Sequence, residues 1–310
     1  MHMLIELVLL VLGFVMLIKG ADIFVEGAAG IATKFGIPQL VIGLTIVAMG
    51  TSAPEAAVSI TAAFKGNADI TIGNVVGSNI LNILVILGIT AVIVAVAVQQ
   101  STIRYEIPFV ILVTVVLLVM GAMDGSVGRL DGVVLWVLFL IYLGYLFMMA
   151  KKNKEEEETQ KQEPVWKLLL FVVVGIALII IGADVSVDAA SEIARVIGLS
   201  ERFIGLTIVA LGTSLPELCT SVVAAKKGKA DLAIGNIVGS NIFNILFVVG
   251  TTALIVPVPF NPEFIVDTAV AVIATVLLWA CVVRQKKLTR PAGVIMLVGY
   301  VAYFAYLMMK

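Results

Sequence analysis

The chain is dominated by unbroken apolar stretches of about twenty residues, the length a helix needs to cross the ~30 Å hydrocarbon core of a bilayer. Ten such stretches run along the 310 residues: 3–25, 38–64, 70–97, 106–123, 131–150, 166–189, 202–226, 231–257, 264–284 and 291–309. Their apolar residues are continuous and do not alternate, which excludes a transmembrane β-barrel. Composition agrees. The chain is 61% apolar and 13% charged, against about 45–50% and about 25% in a soluble domain. The first stretch is not a secretory signal. No Lys or Arg precedes Lys19, and Lys-Gly-Ala-Asp follows in place of a small-residue cleavage site. The expected fold is an all-α integral membrane protein with ten transmembrane helices.

Scarcity narrows the chemistry. The formal net charge is −1, so no polyanion-binding face is implied and nucleic acid is not an expected partner. The two cysteines, Cys219 and Cys281, form neither a disulfide framework nor a thiolate cluster. The single histidine is His2, which removes Ser-His, Cys-His and multi-His zinc chemistry. The reading is therefore not an enzyme, with no cofactor, the lipid bilayer as surroundings and no protein partner implied. The one water-soluble segment, 151–164 (KKNKEEEETQKQEP), reads as a charged, loosely structured tether. Its glutamates lack the Asp/Asn/Gly spacing of an EF-hand loop.

The chain also repeats itself. Residues 20–88 align with residues 182–250 without a gap, at a constant offset of 162, and 39 of the 69 positions are identical. IGLTIVAMGTSAPE at 42–55 recurs as IGLTIVALGTSLPE at 204–217, and IGNVVGSNILNIL at 72–84 as IGNIVGSNIFNIL at 234–246. With five stretches per copy, an odd number, the second copy enters the membrane from the opposite face. The expected organisation is residues 1–150 as a first half, 151–164 as a linker and 165–310 as a second, inverted half. Inverted halves with a polar site at their junction are the architecture of secondary transporters.

The polar residues of the repeat define a candidate site. Glu55 and Glu217 fall in the middle of their stretches at matched positions. A carboxylate at the bilayer centre costs ~3 kcal/mol on insertion scales and needs a partner. With no intramembrane Lys or Arg at that level, the natural partner is a cation from solution. Thr51 and Ser52 lie one helical turn before Glu55, as Thr213 and Ser214 do before Glu217. Pro54 and Pro216 lack an N–H, which frees the carbonyls of Gly50 and Gly212, and the Gly-Thr-Ser before each is expected to unwind. Ser78 and Asn82, with Ser240 and Asn244, share helix faces and are read as ligands or near-ligands. Asn74, Asn79, Asn236 and Asn241 read equally well as packing residues. An all-oxygen set suits hard cations such as Ca²⁺ and Na⁺, not zinc or copper. Two carboxylates neutralise one Ca²⁺ or two Na⁺, which gives a charge basis for exchange.

GTSAPE with GNVVGSNILNI (50–55 and 73–83), repeated as GTSLPE with GNIVGSNIFNI (212–217 and 235–245), resembles the two α-repeats of the calcium/cation antiporter superfamily. The branch it resembles most is that of the small prokaryotic Na⁺/Ca²⁺ exchangers. The resemblance implies that Glu55 and Glu217 coordinate Ca²⁺ and contribute to Na⁺ sites. It implies Ca²⁺-binding carbonyls from Thr51 and Thr213, and an amide in the central site from Asn82, with Asn244 its repeat partner. Na⁺ would be held by the hydroxyls of Ser52, Ser214, Ser78 and Ser240 and the carbonyls of Ala48 and Ala210. It further implies electrogenic exchange of three Na⁺ for one Ca²⁺, with the first span of each half sliding across the other eight. K⁺-dependent relatives carry an acid where this chain has Asn82 or Asn244. H⁺/Ca²⁺ relatives carry a Glu soon after the Gly-Asn pair, where this chain has Val75–Ser78 and Ile237–Ser240. Both couplings are therefore secondary alternatives, and a cation channel is a remote one.

Lys and Arg set the expected orientation. Fourteen fall in or beside the loops after stretches one, three, five, seven and nine, and five on the other side. The tether is therefore expected in the cytoplasm, both termini outside, and the protein in the cell membrane.

Overall fold

The computed structural model describes residues 2–152, 163–198 and 210–309. Among the described residues, the regular structure is helical apart from four two-residue strands. The helices are α1 (His2–Phe35), α2 (Gln39–Thr51), α3 (Ala53–Phe64), α4 (Ile70–Ile93), α5 (Thr102–Asp124), α6 (Arg129–Lys152), α7 (Val165–Val196), α8 (Ala210–Thr213), α9 (Leu215–Lys226), α10 (Ala230–Ile255), α11 (Pro262–Val282) and α12 (Arg290–Met309). Among the described residues, eight of these are long and apolar enough to cross a membrane. The pair α2 and α3 makes a ninth, bent by 50°. The expected stretch 202–226 lies partly outside the described residues, and α8 and α9 are the described part of it.

The sequence repeat reappears in the backbone. α1 ends before Gly36 and α7 before Gly198, residues 162 apart, with φ of +59° and +89°. Only glycine takes such φ without penalty, which is why these helices stop there. Strand β1 (Val96–Ala97) pairs antiparallel with β4 (Lys287–Leu288), and β2 (Ser126–Val127) with β3 (Val258–Pro259). α5 runs from β1 to β2 and α11 from β3 to β4. The two ribbons therefore tie the halves together at opposite ends of these helices.

α10 is the centre of the molecule. Its most apolar window is 94% buried, against 17% for α1 at the rim. Its glycines allow backbone to meet backbone. A Cβ on Gly235 would sit 2.9 Å from Gly43 Cα, and one on Gly239 would sit 2.8 Å from Leu44 Cα. α1 pairs lengthwise and antiparallel with α7: Gly13 faces Gly182, Gly20 faces Ile179, and Gly27 faces Phe171 and Leu168. Small residues at such seams let transmembrane helices approach closely where no hydrophobic force drives them together. The opposite face of α1 (Leu4, Val8, Val11, Val15) is exposed and apolar, as a lipid-facing surface must be.

Among the described residues, four helices carry a π-helical turn: Gly43–Val47 in α2, Asn82–Leu87 in α4, Thr102–Glu106 in α5 and Asn244–Val249 in α10. Those in α4 and α10 occupy repeat-matched positions and begin at the two candidate asparagines. An inserted π turn re-aims side chains and often marks a functional site.

Candidate ion-binding site

The bend between α2 and α3 falls at Ser52, whose φ and ψ are −85° and 8°; its repeat mate Ser214, between α8 and α9, has −91° and 1°. The break is narrower than expected, because Gly50 and Thr51 stay helical and only the serine leaves the helix. The Ser52 amide still donates to the Ala48 carbonyl (3.0 Å), so the ladder is interrupted for one residue only. Proline sits at the start of each following helix, where its missing N–H does least harm. Glu55 and Glu217 thus open α3 and α9, in the first turn, where the amide dipoles favour negative charge.

Both carboxylates are 1% exposed and interact electrostatically across the site. Ser52 Oγ, from the first half, donates to Glu217 Oε1 of the second at 2.8 Å. Thr51 Oγ1 donates to Asn236 Oδ1 at 2.9 Å. Ser240 Oγ donates to the Ala48 carbonyl at 3.4 Å, so these two predicted Na⁺ ligands are neighbours from opposite halves. Asn82 Nδ2 donates to Asn241 Oδ1 (2.9 Å), and its mate Asn244 Nδ2 to Asn79 Oδ1 (3.1 Å). Asn79 and Asn241 also donate to each other's carbonyl, at 3.2 and 3.3 Å. Ser78 is buried, Thr213 half-buried and Ser214 buried with an unpartnered hydroxyl. Ala210 opens α8, and only its backbone is described.

Among the described residues, four buried carboxylate and amide oxygens of this site accept no hydrogen bond: Glu55 Oε2, Glu217 Oε2, Asn82 Oδ1 and Asn244 Oδ1. They form two repeat-related pairs, and both amides spend their N–H groups elsewhere. Buried acceptors without donors are costly. Acceptors alone, carrying two negative charges, are what a desolvated hard cation requires.

A cavity of about 560 Å³ reaches this region, lined by Pro54, Gly212, Thr213 and Pro216 on the broken helices and by Asp184 and Asp188 on α7. A second hollow shares Ala57 and Val58 with it and is lined by Lys65. Asp22 on α1 pairs with Lys227 after α9, at 2.7 Å. Their repeat mates are Asp184 and Lys65. No ion pair joins those two among the described residues, and they line the adjoining hollows instead. The halves have matching sequences but different contacts.

The sequence profile described as sodium/calcium exchanger protein matches residues 5–148 and 167–309. The chain belongs to that family. The relatives whose names give an activity are antiporters and exchangers, not enzymes. CaxA of Alkalimonas amylolytica is 41% identical over 97% of this chain and 98% of its own length. The sodium/calcium exchanger MaX1 of Methanosarcina acetivorans is 30% identical over 98% of each chain. A solved structure of the sodium-calcium exchanger NCX_Mj, soaked with zero Na⁺ and Ca²⁺, superposes with a TM-score of 0.85 at 34% identity, covering 98% of this chain and 99% of that one.

Asn74 and Asn236, which the motifs left open between ligand and packing roles, act in support, and they do so through Ser59 and Ser221, which the motifs did not single out. Asn74 Nδ2 donates to Ser59 Oγ (2.9 Å) and the Glu55 carbonyl (3.1 Å), and Asn236 Nδ2 to Ser221 Oγ (3.0 Å) and the Glu217 carbonyl (3.4 Å). These two asparagines support the broken turns from behind. Ser59 and Ser221 are identical at the offset of 162, which was the available signal. The π turns had none.

Proposed function

We propose that the protein exchanges Na⁺ for Ca²⁺ by alternating access, electrogenically, as ten transmembrane helices in two inverted five-helix halves, residues 1–150 and 165–310, joined by the linker 151–164. The observation that carries this reading is the set of four unpartnered acceptor oxygens, two from each half, at Glu55, Asn82, Glu217 and Asn244. Ca²⁺ takes these carboxylates and amides with the carbonyls of Thr51 and Thr213. Na⁺ takes the carboxylates together with Ser52, Ser78, Ser214 and Ser240 and the carbonyls of Ala48 and Ala210. Both cargoes draw on the same two negative charges, so the binding of one opposes the other.

The difference between the halves supports two access states. The Asp22–Lys227 pair closes the side of the linker. The cavity beside Asp184 is open on the other, which is the outside when the linker is cytoplasmic and the termini external. In the opposite state, Asp184 meets Lys65 and the Asp22–Lys227 pair parts, while α1 and α7, held to each other by their glycine seam, slide together across the other helices. The protein works in the cell membrane.

The test is ⁴⁵Ca uptake into proteoliposomes of the purified full-length chain. Uptake requires an opposing Na⁺ gradient and responds to membrane potential. Uptake driven equally by a pH gradient points to H⁺ coupling, a strict K⁺ requirement to the K⁺-dependent branch, and uptake without any gradient to a channel. Each of these results overturns the reading.

A further inference from the structure

A second buried carboxylate lies away from the cation site. Glu106 closes the π turn that opens α5 and is 1% exposed. Tyr145 on α6 donates to its Oε1. Its Oε2 accepts no hydrogen bond; the Thr102 hydroxyl one turn before it, which interacts with this carboxyl, and the hydroxyl of Tyr142, which is 4% exposed, are also without hydrogen-bond partners. Glu106 and Tyr142 line a cavity of about 370 Å³ between α5 and α6. Phe109 stacks on Tyr142 inside it, with ring centroids 5.6 Å apart and planes at 14°. The outer wall is the lipid-facing surface, where Leu112 and Ile141 are exposed. At the mouth the exposed guanidinium of Arg104 lies over the Tyr105 ring, 5.7 Å from its centroid. Lys152 lines the adjoining hollow with Tyr105 and Tyr145.

The groups are ordered: a carboxyl at the bottom among aromatic rings, cations at the rim, and an apolar flank open to the bilayer. We propose that this cavity binds the headgroup of a zwitterionic membrane phospholipid whose terminal group is a primary ammonium, as in phosphatidylethanolamine. The ammonium carries N–H donors for Glu106 Oε2 and the Tyr142 oxygen, and the rings add a favourable face for a cation. The phosphate meets Arg104, which suits phosphate geometry. The acyl chains lie along Phe109 and Leu112. A trimethylammonium headgroup has no N–H to give, and an uncharged glycerol headgroup has no cation for the buried acid.

The experiment is native mass spectrometry of the purified full-length chain in detergent, with phosphatidylethanolamine, phosphatidylcholine and phosphatidylglycerol of identical acyl chains added in turn. The wild-type chain retains the ethanolamine lipid in preference to the other two. A hydrogen bond to a charged group contributes about 1.5 kcal/mol or more, so Glu106→Gln and Tyr142→Phe each lower that retention about ten-fold and leave the other two lipids unchanged. Tyr142→Phe keeps the stacked ring and stands in if Glu106→Gln proves unstable. Equal retention of the three lipids by the wild type, or undiminished ethanolamine-lipid binding in the variant that folds, overturns the proposal. No ion flux enters this measurement, so it stands or falls separately from the exchange reaction.

Discussion

Glu217→Gln removes one of the two charges of the site while changing almost nothing else. The amide oxygen still accepts from Ser52 Oγ, which stands 2.8 Å away in the native site, and the side-chain volume is conserved. With both carboxylates a bound Ca²⁺ is neutralised. With one, a net unit charge is left at the depth of the membrane centre. An uncompensated charge there costs ~3 kcal/mol on insertion scales, which corresponds to about a hundred-fold weaker Ca²⁺ binding. A single Na⁺ is still neutralised by Glu55, so binding of one Na⁺ survives. The assay pairs ⁴⁵Ca binding in detergent with Na⁺-driven ⁴⁵Ca uptake in proteoliposomes. Thermal unfolding with and without Na⁺ serves as the folding control, since a ligand that binds only the folded state raises its stability. The expected result is loss of Ca²⁺ binding and uptake with Na⁺ protection retained. Wild-type Ca²⁺ affinity in the variant refutes the charge argument. So does loss of Ca²⁺ and Na⁺ binding together in a protein that unfolds at the wild-type temperature.

Two further outcomes follow from the packing and the paired contacts. Gly235→Ala puts a Cβ within 3.0 Å of Gly43 and Leu40 backbone atoms, an overpacking that costs about 1–3 kcal/mol. Gly144→Ala, in α6 with nothing within 4 Å, serves as the neutral control, and thermal unfolding in detergent reads the difference. In a background with Cys219 and Cys281 replaced by Ser, a short bifunctional thiol reagent should join Asp22→Cys to Lys227→Cys in the resting protein. It should join Lys65→Cys to Asp184→Cys only when Na⁺ and Ca²⁺ gradients drive turnover. Crosslinking of both pairs to the same extent at rest contradicts the two-state reading.

The membrane-spanning character of the chain and the repeat were legible because both are written in long, regular patterns. Glu55 and Glu217 stood out because carboxylates at that depth are expensive, and the GNxVGSN segments because polar residues matched at a fixed offset are hard to attribute to packing. The bridges Asn79–Asn241 and Asn82–Asn241 could not be read in the same way. They depend on how α4 of one half registers against α10 of the other, a distance no local spacing encodes. The π turns were silent for a related reason, since their wide hydrogen-bond rings follow from tertiary packing around Asn82 and Asn244 and not from a sequence period. The expected unwinding at Gly-Thr-Ser shrank to the serine alone because the helical hydrogen bond from Ser52 to Ala48 survives beside Pro54. Two-residue strands have no periodicity to find. Glu106 passed unremarked because it sits near a helix end, where a carboxylate is ordinarily solvated.

The central idea is that Ca²⁺ and Na⁺ compete for one pair of buried carboxylates, and equilibrium competition tests it most directly. ⁴⁵Ca binding to the purified full-length protein is measured across a Na⁺ series at constant ionic strength. Rising Na⁺ should weaken apparent Ca²⁺ affinity without lowering the amount bound at saturating Ca²⁺, and the effect should vanish with choline in place of Na⁺. Ca²⁺ that stays bound with unchanged affinity at saturating Na⁺ would mean that the two ions occupy independent sites, and the shared-carboxylate account would be wrong.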